Sequence, residues 1–111
     1  MRELITRNRS YRRFDEGHAI DEGLLRELVD CARLSASAAN LQPLKYILSN
    51  TPKKNAAIFA HLGGAAYLKD WPGPEAGQRP SAYIVVLGDT AIAKTFGCDH
   101  GIAAQSILLG A

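Results

Sequence analysis

Cysteine is scarce in this chain, with only Cys31 and Cys98 among 111 residues. Two cysteines without metal-ligand spacing make neither a disulfide framework nor a metal site. They read as two reduced, partly buried thiols on separate helices. Long apolar runs are also missing, and none approaches the roughly 20 residues that span a bilayer. The N-terminal stretch Met1 to Ser10 is charged and has no apolar segment of the signal-peptide kind. A cytoplasmic location and no membrane partner are therefore expected. There is no Gly-x-Gly-x-x-Gly, no P-loop lysine and no Gly-x-Ser-x-Gly, which removes support for a dinucleotide-binding Rossmann unit or a serine hydrolase. Nor is there much net charge: +2 is too small to imply nucleic acid.

What the chain does have is an ordinary globular balance, 47% hydrophobic and 22% charged residues. One domain spanning 1–111 is the natural reading, since the length suits one core and not two. The basic residues are unevenly placed. Seven of the 13 precede residue 34 and five lie within Arg2–Arg13, which marks that stretch as a candidate anion site.

The spacing predicts a short helix over 2–8, then a basic stretch and a loop broken at Gly17. Asp21 reads as a cap for a helix over 22–35, because Leu24, Leu25, Leu28, Val29 and Ala32 recur on one face. The small and polar segment Ser35 to Pro43 follows, closed by a proline. Leu44–Ser49 reads as a strand. Thr51 and Pro52 open a helix running to about His61, Thr51 as its cap, ended by Gly63-Gly64. Residues 69–80 hold three prolines and two glycines and form a loop. Residues 82–87 are a continuous apolar run expected to be a buried strand. A short helical segment is expected after Asp89-Thr90, which resembles a cap, and a last helix from near Asp99. This order of helices and strands argues for an α+β layer fold. The apolar pattern is still running at Leu108-Leu109-Gly110-Ala111, so a continuation past residue 111 is expected.

Two segments carry chemistry. In Arg9-Ser10-Tyr11-Arg12-Arg13, guanidinium forks and a hydroxyl match the oxygens of a phosphate, although a basic run is more often a solvated surface. In Ser37-Ala38-Ala39-Asn40-Leu41-Gln42-Pro43, small residues let a planar ligand approach the backbone. Asn40 and Gln42 add amides that donate and accept, as a heterocycle with mixed edges requires. The same segment also reads as a plain polar loop. His100 follows Asp99, yet no third partner for metal or acid–base work is present. Asp99 is expected to cap its own helix, with His100 in the first turn. A small basic RNA-binding domain would need a stacking platform beside the basic run, and Tyr11 and Phe14 do not make one. No nucleic-acid partner is expected.

Taken in order, these segments look familiar. Asn8-Arg9-Ser10-Tyr11-Arg12-Arg13-Phe14 resembles the Arg-Arg-Ser-x-Arg-x-Phe motif that opens nitroreductase-family proteins. Ala32-Arg33-Leu34-Ser35 through Pro43 resembles that family's next block, and Asp99-His100-Gly101-Ile102 through Leu109 resembles its central helix. The resemblance covers essentially the whole chain and marks it as the family's N-terminal part. It implies a nitroreductase-like α+β fold, a mixed or antiparallel sheet flanked by helices and incomplete at the C-terminus. It also implies a homodimer with FMN at the subunit interface. By the same resemblance Arg9, Ser10 and Arg12 hold the ribityl phosphate, while Ser37, Ala38, Asn40 and Gln42 approach the flavin, largely from the other subunit. NAD(P)H would be the reductant and a small-molecule electron acceptor, such as a nitroaromatic or quinone, the substrate. The chemistry would be flavin-based, with no catalytic side chain and no metal. Trp71 in the proline-rich loop could cover the flavin or an aromatic substrate, or simply pin its loop.

Asn8 stands where the family often has its first Arg, Leu44 where Trp is frequent, and the chain ends before the glycine-bearing segment and late basic pair. A non-catalytic binding or interaction domain that keeps the fold without flavin is the alternative.

Overall fold

The computed structural model describes residues 1–111. Its helices are α1 (Arg2–Arg7), α2 (Glu22–Arg33), α3 (Pro52–Phe59) and α4 (Asp99–Gly110), and its strands β1 (Leu44–Ser49) and β2 (Tyr83–Gly88). One 3-10 turn, Ala38–Asn40, lies between α2 and β1. The two strands pair into one sheet, and Asp89 N–H donates to Pro43 C=O at 2.8 Å, joining the start of β1 to the end of β2 as an antiparallel pair does. The α+β class and the expected element order hold. The chain divides into two units: residues 1–9, 22–48 and 84–111, and residues 10–21 and 49–83.

In the first unit the core lies between α2 and α4. Leu25, Ala32 and Ala103 are buried there, and small residues let the helix axes approach closely. At the C-terminal end of α4 the approach is tighter still. A Cβ on Gly110 would stand 3.1 Å from Cys31 Sγ and 3.3 Å from Leu28 Cδ2. Ser35 Oγ donates to Cys31 C=O at 2.8 Å and lies 2.6 Å from Ser106 Oγ, so a polar pair also ties the loop after α2 to α4. Along β1 the pleat alternates, with Leu44, Tyr46 and Leu48 half-buried and Lys45 and Ile47 exposed.

In the second unit, Phe14 N–H donates to Gln78 C=O at 2.9 Å and Glu16 N–H to Gly77 C=O at 3.3 Å. The Glu16 carboxylate also accepts from Gly77 N–H. Arg79 stacks over the Phe59 ring, 4.3 Å from its centroid. Asn55 on α3 is the hub: its Oδ1 accepts from the buried Ser49 hydroxyl and its Nδ2 donates to Ser81 C=O, each at 2.7 Å.

Several local expectations need correction. The run expected to be a buried strand is half-buried from Tyr83 to Val86 and exposed at Leu87 and Gly88, because a two-stranded sheet leaves it an open edge. Thr51 sits at the N-cap of α3 with extended backbone, but its hydroxyl makes no capping bond. That helix ends at Phe59, and turns continue to Leu62. After Asp89 there are turns and no helix, though Asp89 Oδ1 does accept from Ala91 N–H at 2.9 Å as a cap would. Cys98 precedes α4 and is exposed, while Cys31 is half-buried on α2; both thiols are free.

Candidate functional site

The segment Ser37 to Gln42 is the most constrained stretch of the first unit. Ala39, Asn40 and Gln42 all have positive φ, at 51°, 53° and 50°. A left-handed backbone costs an L-residue about 1–2 kcal/mol, so something must hold this conformation. Proline supplies part of the hold, since Pro43 is fully buried. Asp99 is bonded to the same segment. Its carboxylate is 5% exposed and does not cap its own helix, contrary to expectation; Cys98 occupies the N-cap. Instead Oδ2 accepts from the Ser37 hydroxyl at 2.7 Å and Oδ1 from Ala38 N–H at 3.1 Å. Ser37 Oγ in turn accepts from Gln42 N–H at 3.0 Å. A chain of three hydrogen bonds therefore runs from α4 across both ends of the loop.

The electrostatics follow from those contacts. The Ser37 hydroxyl foremost, then Ala38 N–H, hold the Asp99 carboxyl below the usual carboxylate range. The charge of His100 acts in the same direction, and burial opposes all three. Sequence reading missed this role because the partners lie 62 positions apart. No local spacing distinguishes a carboxylate that caps its own helix from one that caps another segment.

Within the loop, Gln42 Nε2 donates to Asn40 Oδ1 at 2.7 Å. That bond leaves Asn40 Nδ2 as a donor and Gln42 Oε1 as an acceptor on two exposed, hydrogen-bonded side chains. Beside the loop is a cavity of about 120 Å³, lined by Ser37, Gln42, Pro43, Tyr46, Asp99 and Ala103.

The remaining candidates are distributed as follows. Arg9 belongs to the first unit and Ser10 and Arg12 to the second. Both guanidiniums are exposed, and their hydrogen bonds go to backbone carbonyls alone: Arg9 to Ile5 and Asn8, Arg12 to Ser10. No carboxylate pairs with either, whereas Arg26, Arg33 and Lys45 each have one. Trp71 is half-buried in the second unit. It lines a groove of about 350 Å³ with Tyr11, Arg12, Phe14, Phe59 and Pro74. Sequence reading singled out Trp71 and Arg12 separately, and the fold brings them to one groove. No group of His, Cys, Asp or Glu is placed to hold a metal ion, and no helix is long and apolar enough to cross a membrane.

The nitroreductase family model matches residues 5–111. This chain belongs to the nitroreductase family. Solved structures agree with that assignment in fold. A nitroreductase family protein from Clostridium novyi is 25% identical with a TM-score of 0.71, and the match covers 98% of this chain and 62% of that one. An FMN-dependent nitroreductase from Clostridium difficile is 22% identical with a TM-score of 0.71, covering 99% and 59%. A nitroreductase with bound FMN from Desulfitobacterium hafniense is 20% identical with a TM-score of 0.70, covering 97% and 62%. The chain thus spans about 60% of the length of the family structures it matches. No curated protein sequence matches it.

Proposed function

We propose that this nitroreductase-family chain is an FMN-dependent oxidoreductase that uses NAD(P)H to reduce a nitroaromatic, a quinone or a related small acceptor. The observation that carries the reading is the Ser37–Gln42 loop. The loop has three left-handed residues, and its internal Asn40–Gln42 bond leaves one amide donor and one amide acceptor over on exposed side chains, a donor–acceptor set that suits the mixed hydrogen-bonding edge of a flavin. When bound, FMN supplies the hydride chemistry, accepting from NAD(P)H and delivering to the acceptor.

The chain's own residues do the holding. Arg9, Ser10 and Arg12 meet the phosphate, and the two guanidiniums fit that task because no carboxylate neutralises them. Ser37, Ala38, Asn40 and Gln42 meet the ring, from the partner subunit of a homodimer. Trp71 closes over a flat acceptor and excludes water from it. Support for pairing comes from α4, where Ile102 and Leu108 are exposed large apolar residues on a helix that has few polar ones. Support for the cofactor comes from the Clostridium difficile and Desulfitobacterium hafniense proteins, one FMN-dependent and the other with FMN bound. Free thiols at Cys31 and Cys98 accord with a reducing cytoplasm.

The test is a fluorescence titration of FMN against Arg12→Ala and Arg2→Ala. Arg12→Ala should weaken binding about tenfold or more, the factor for one lost charge-assisted bond, and Arg2→Ala should leave it unchanged. Equal effects from the two would remove the phosphate site.

A further inference from the structure

We propose that Asp99 is a positioning residue: from the first turn of α4 it clamps the Ser37–Gln42 loop in its left-handed conformation and so fixes the edge that Asn40 and Gln42 offer to a flavin ring. The flavin part of this proposal rests on the function proposed above; the clamp itself does not. Both carboxylate oxygens are used, one on the Ser37 hydroxyl and one on Ala38 N–H. The hydroxyl passes the constraint on, because its oxygen accepts from Gln42 N–H at the far end of the loop. The carboxylate thereby spans the segment whose Ala39, Asn40 and Gln42 have positive φ. Without it, what opposes relaxation to ordinary backbone is local to the segment: the buried Pro43, two short turn bonds (Asn40 N–H to Ser37 C=O and Leu41 N–H to Ala38 C=O), the Asn40–Gln42 side-chain bond and the Ser37–Gln42 bond. The carboxylate also stays ionised to lower pH than usual, as a group gripped by two donors should.

A residue that shapes a ring-reading loop has a signature distinct from a phosphate ligand. It should weaken FMN and riboflavin by the same factor, because the two share the ring and differ in the phosphate. Arg12→Ala should weaken FMN alone.

The experiment compares the whole chain with Asp99→Asn, Asp99→Ala and Ser37→Ala. Amide hydrogen exchange is followed first, without flavin. Protection of Ala38 and Gln42 should fall about tenfold in Asp99→Ala, with interior amides of α2 and α4 unchanged; Ser37→Ala should release Gln42 more than Ala38. Asp99→Asn keeps the shape and one acceptor oxygen, and its effect should be intermediate. It also provides the reading if Asp99→Ala does not fold. Unchanged protection at Ala38 and Gln42 in a folded variant would overturn the clamp. A parallel loss across α2 and α4 in Asp99→Asn would overturn it as well, by showing that Asp99 serves the helix packing instead. Flavin titrations follow. Equal weakening of FMN and riboflavin by Asp99→Asn supports the positioning role, and weakening of FMN alone contradicts it. If the wild-type chain binds neither flavin, the proposed function and the flavin part of this proposal fail while the exchange result still decides the clamp.

Discussion

Replacing Asn55 with Ala should destabilise the chain by about 2.5–4.5 kcal/mol, and the size follows from two hydrogen bonds and one orphaned group. Asn55 Oδ1 accepts from Ser49 Oγ and Nδ2 donates to Ser81 C=O. Each neutral bond contributes about 1 kcal/mol net. Ser49 is only 2% exposed, so its hydroxyl is left buried without an acceptor, which adds about 1–3 kcal/mol. Alanine's better helix propensity returns roughly 0.5 kcal/mol on α3. Ser49→Ala should cost less, about 0.5–1.5 kcal/mol, because half-buried Asn55 can turn to water. The double variant should cost about 1–3 kcal/mol less than the sum of the singles, since the orphan no longer exists. Urea unfolding followed by circular dichroism measures all three, and Asn55→Ala should lower the midpoint by about 1–3 M at unchanged slope. Additive single effects, or an Asn55→Ala cost under about 0.5 kcal/mol, would show that Asn55 does not satisfy a buried Ser49 hydroxyl.

Other expectations concern the backbone and the carboxylates. A Cβ at Gly88 would collide with the Phe96 ring, so Gly88→Ala should cost about 1–3 kcal/mol and Phe96→Leu should recover part of it; urea midpoints check both. Ala39→Gly should stabilise by about 0.5–1 kcal/mol, because the left-handed backbone no longer opposes a side chain and only glycine's greater unfolded-state freedom offsets the gain. Acid should destabilise the chain through Asp99 and Asp89. Asp89 is held below the usual range first by the Lys45 ammonium, 2.7 Å away, and Asp99 first by Ser37. A depressed carboxylate contributes fully above its unfolded pKa and loses that contribution as pH falls through the lower folded value. Midpoints recorded across that acid limb should fall less steeply in Asp99→Asn than in the wild type.

Much of the fold was readable because its cues are local. Leu44–Ser49 alternates in and out, and β1 occupies those residues. The apolar face through Leu25 and Ala32 is the one α2 buries. β2 was misjudged in burial because a continuous apolar run is also what an edge strand of a two-stranded sheet carries, and sequence does not state how many strands flank it. The segment after Asp89 has a cap without a helix, since Gly97 and the turns before it end the pattern early. At the candidate site, residue types were legible and conformation was not. Asn40 and Gln42 advertise their chemistry, but no propensity assigns left-handed φ to Ala39. In the proposed clamp that conformation is held by Asp99, whose bond to Ser37 reaches back from a distant helix.

Whether this chain holds and reduces FMN is settled by a spectral titration of the purified chain with FMN, followed by anaerobic addition of NADH. A flavin-binding chain should give a saturable shift of the visible flavin bands and their bleaching on adding NADH. A chain that is folded by circular dichroism yet leaves the flavin spectrum unchanged throughout would contradict the proposed function.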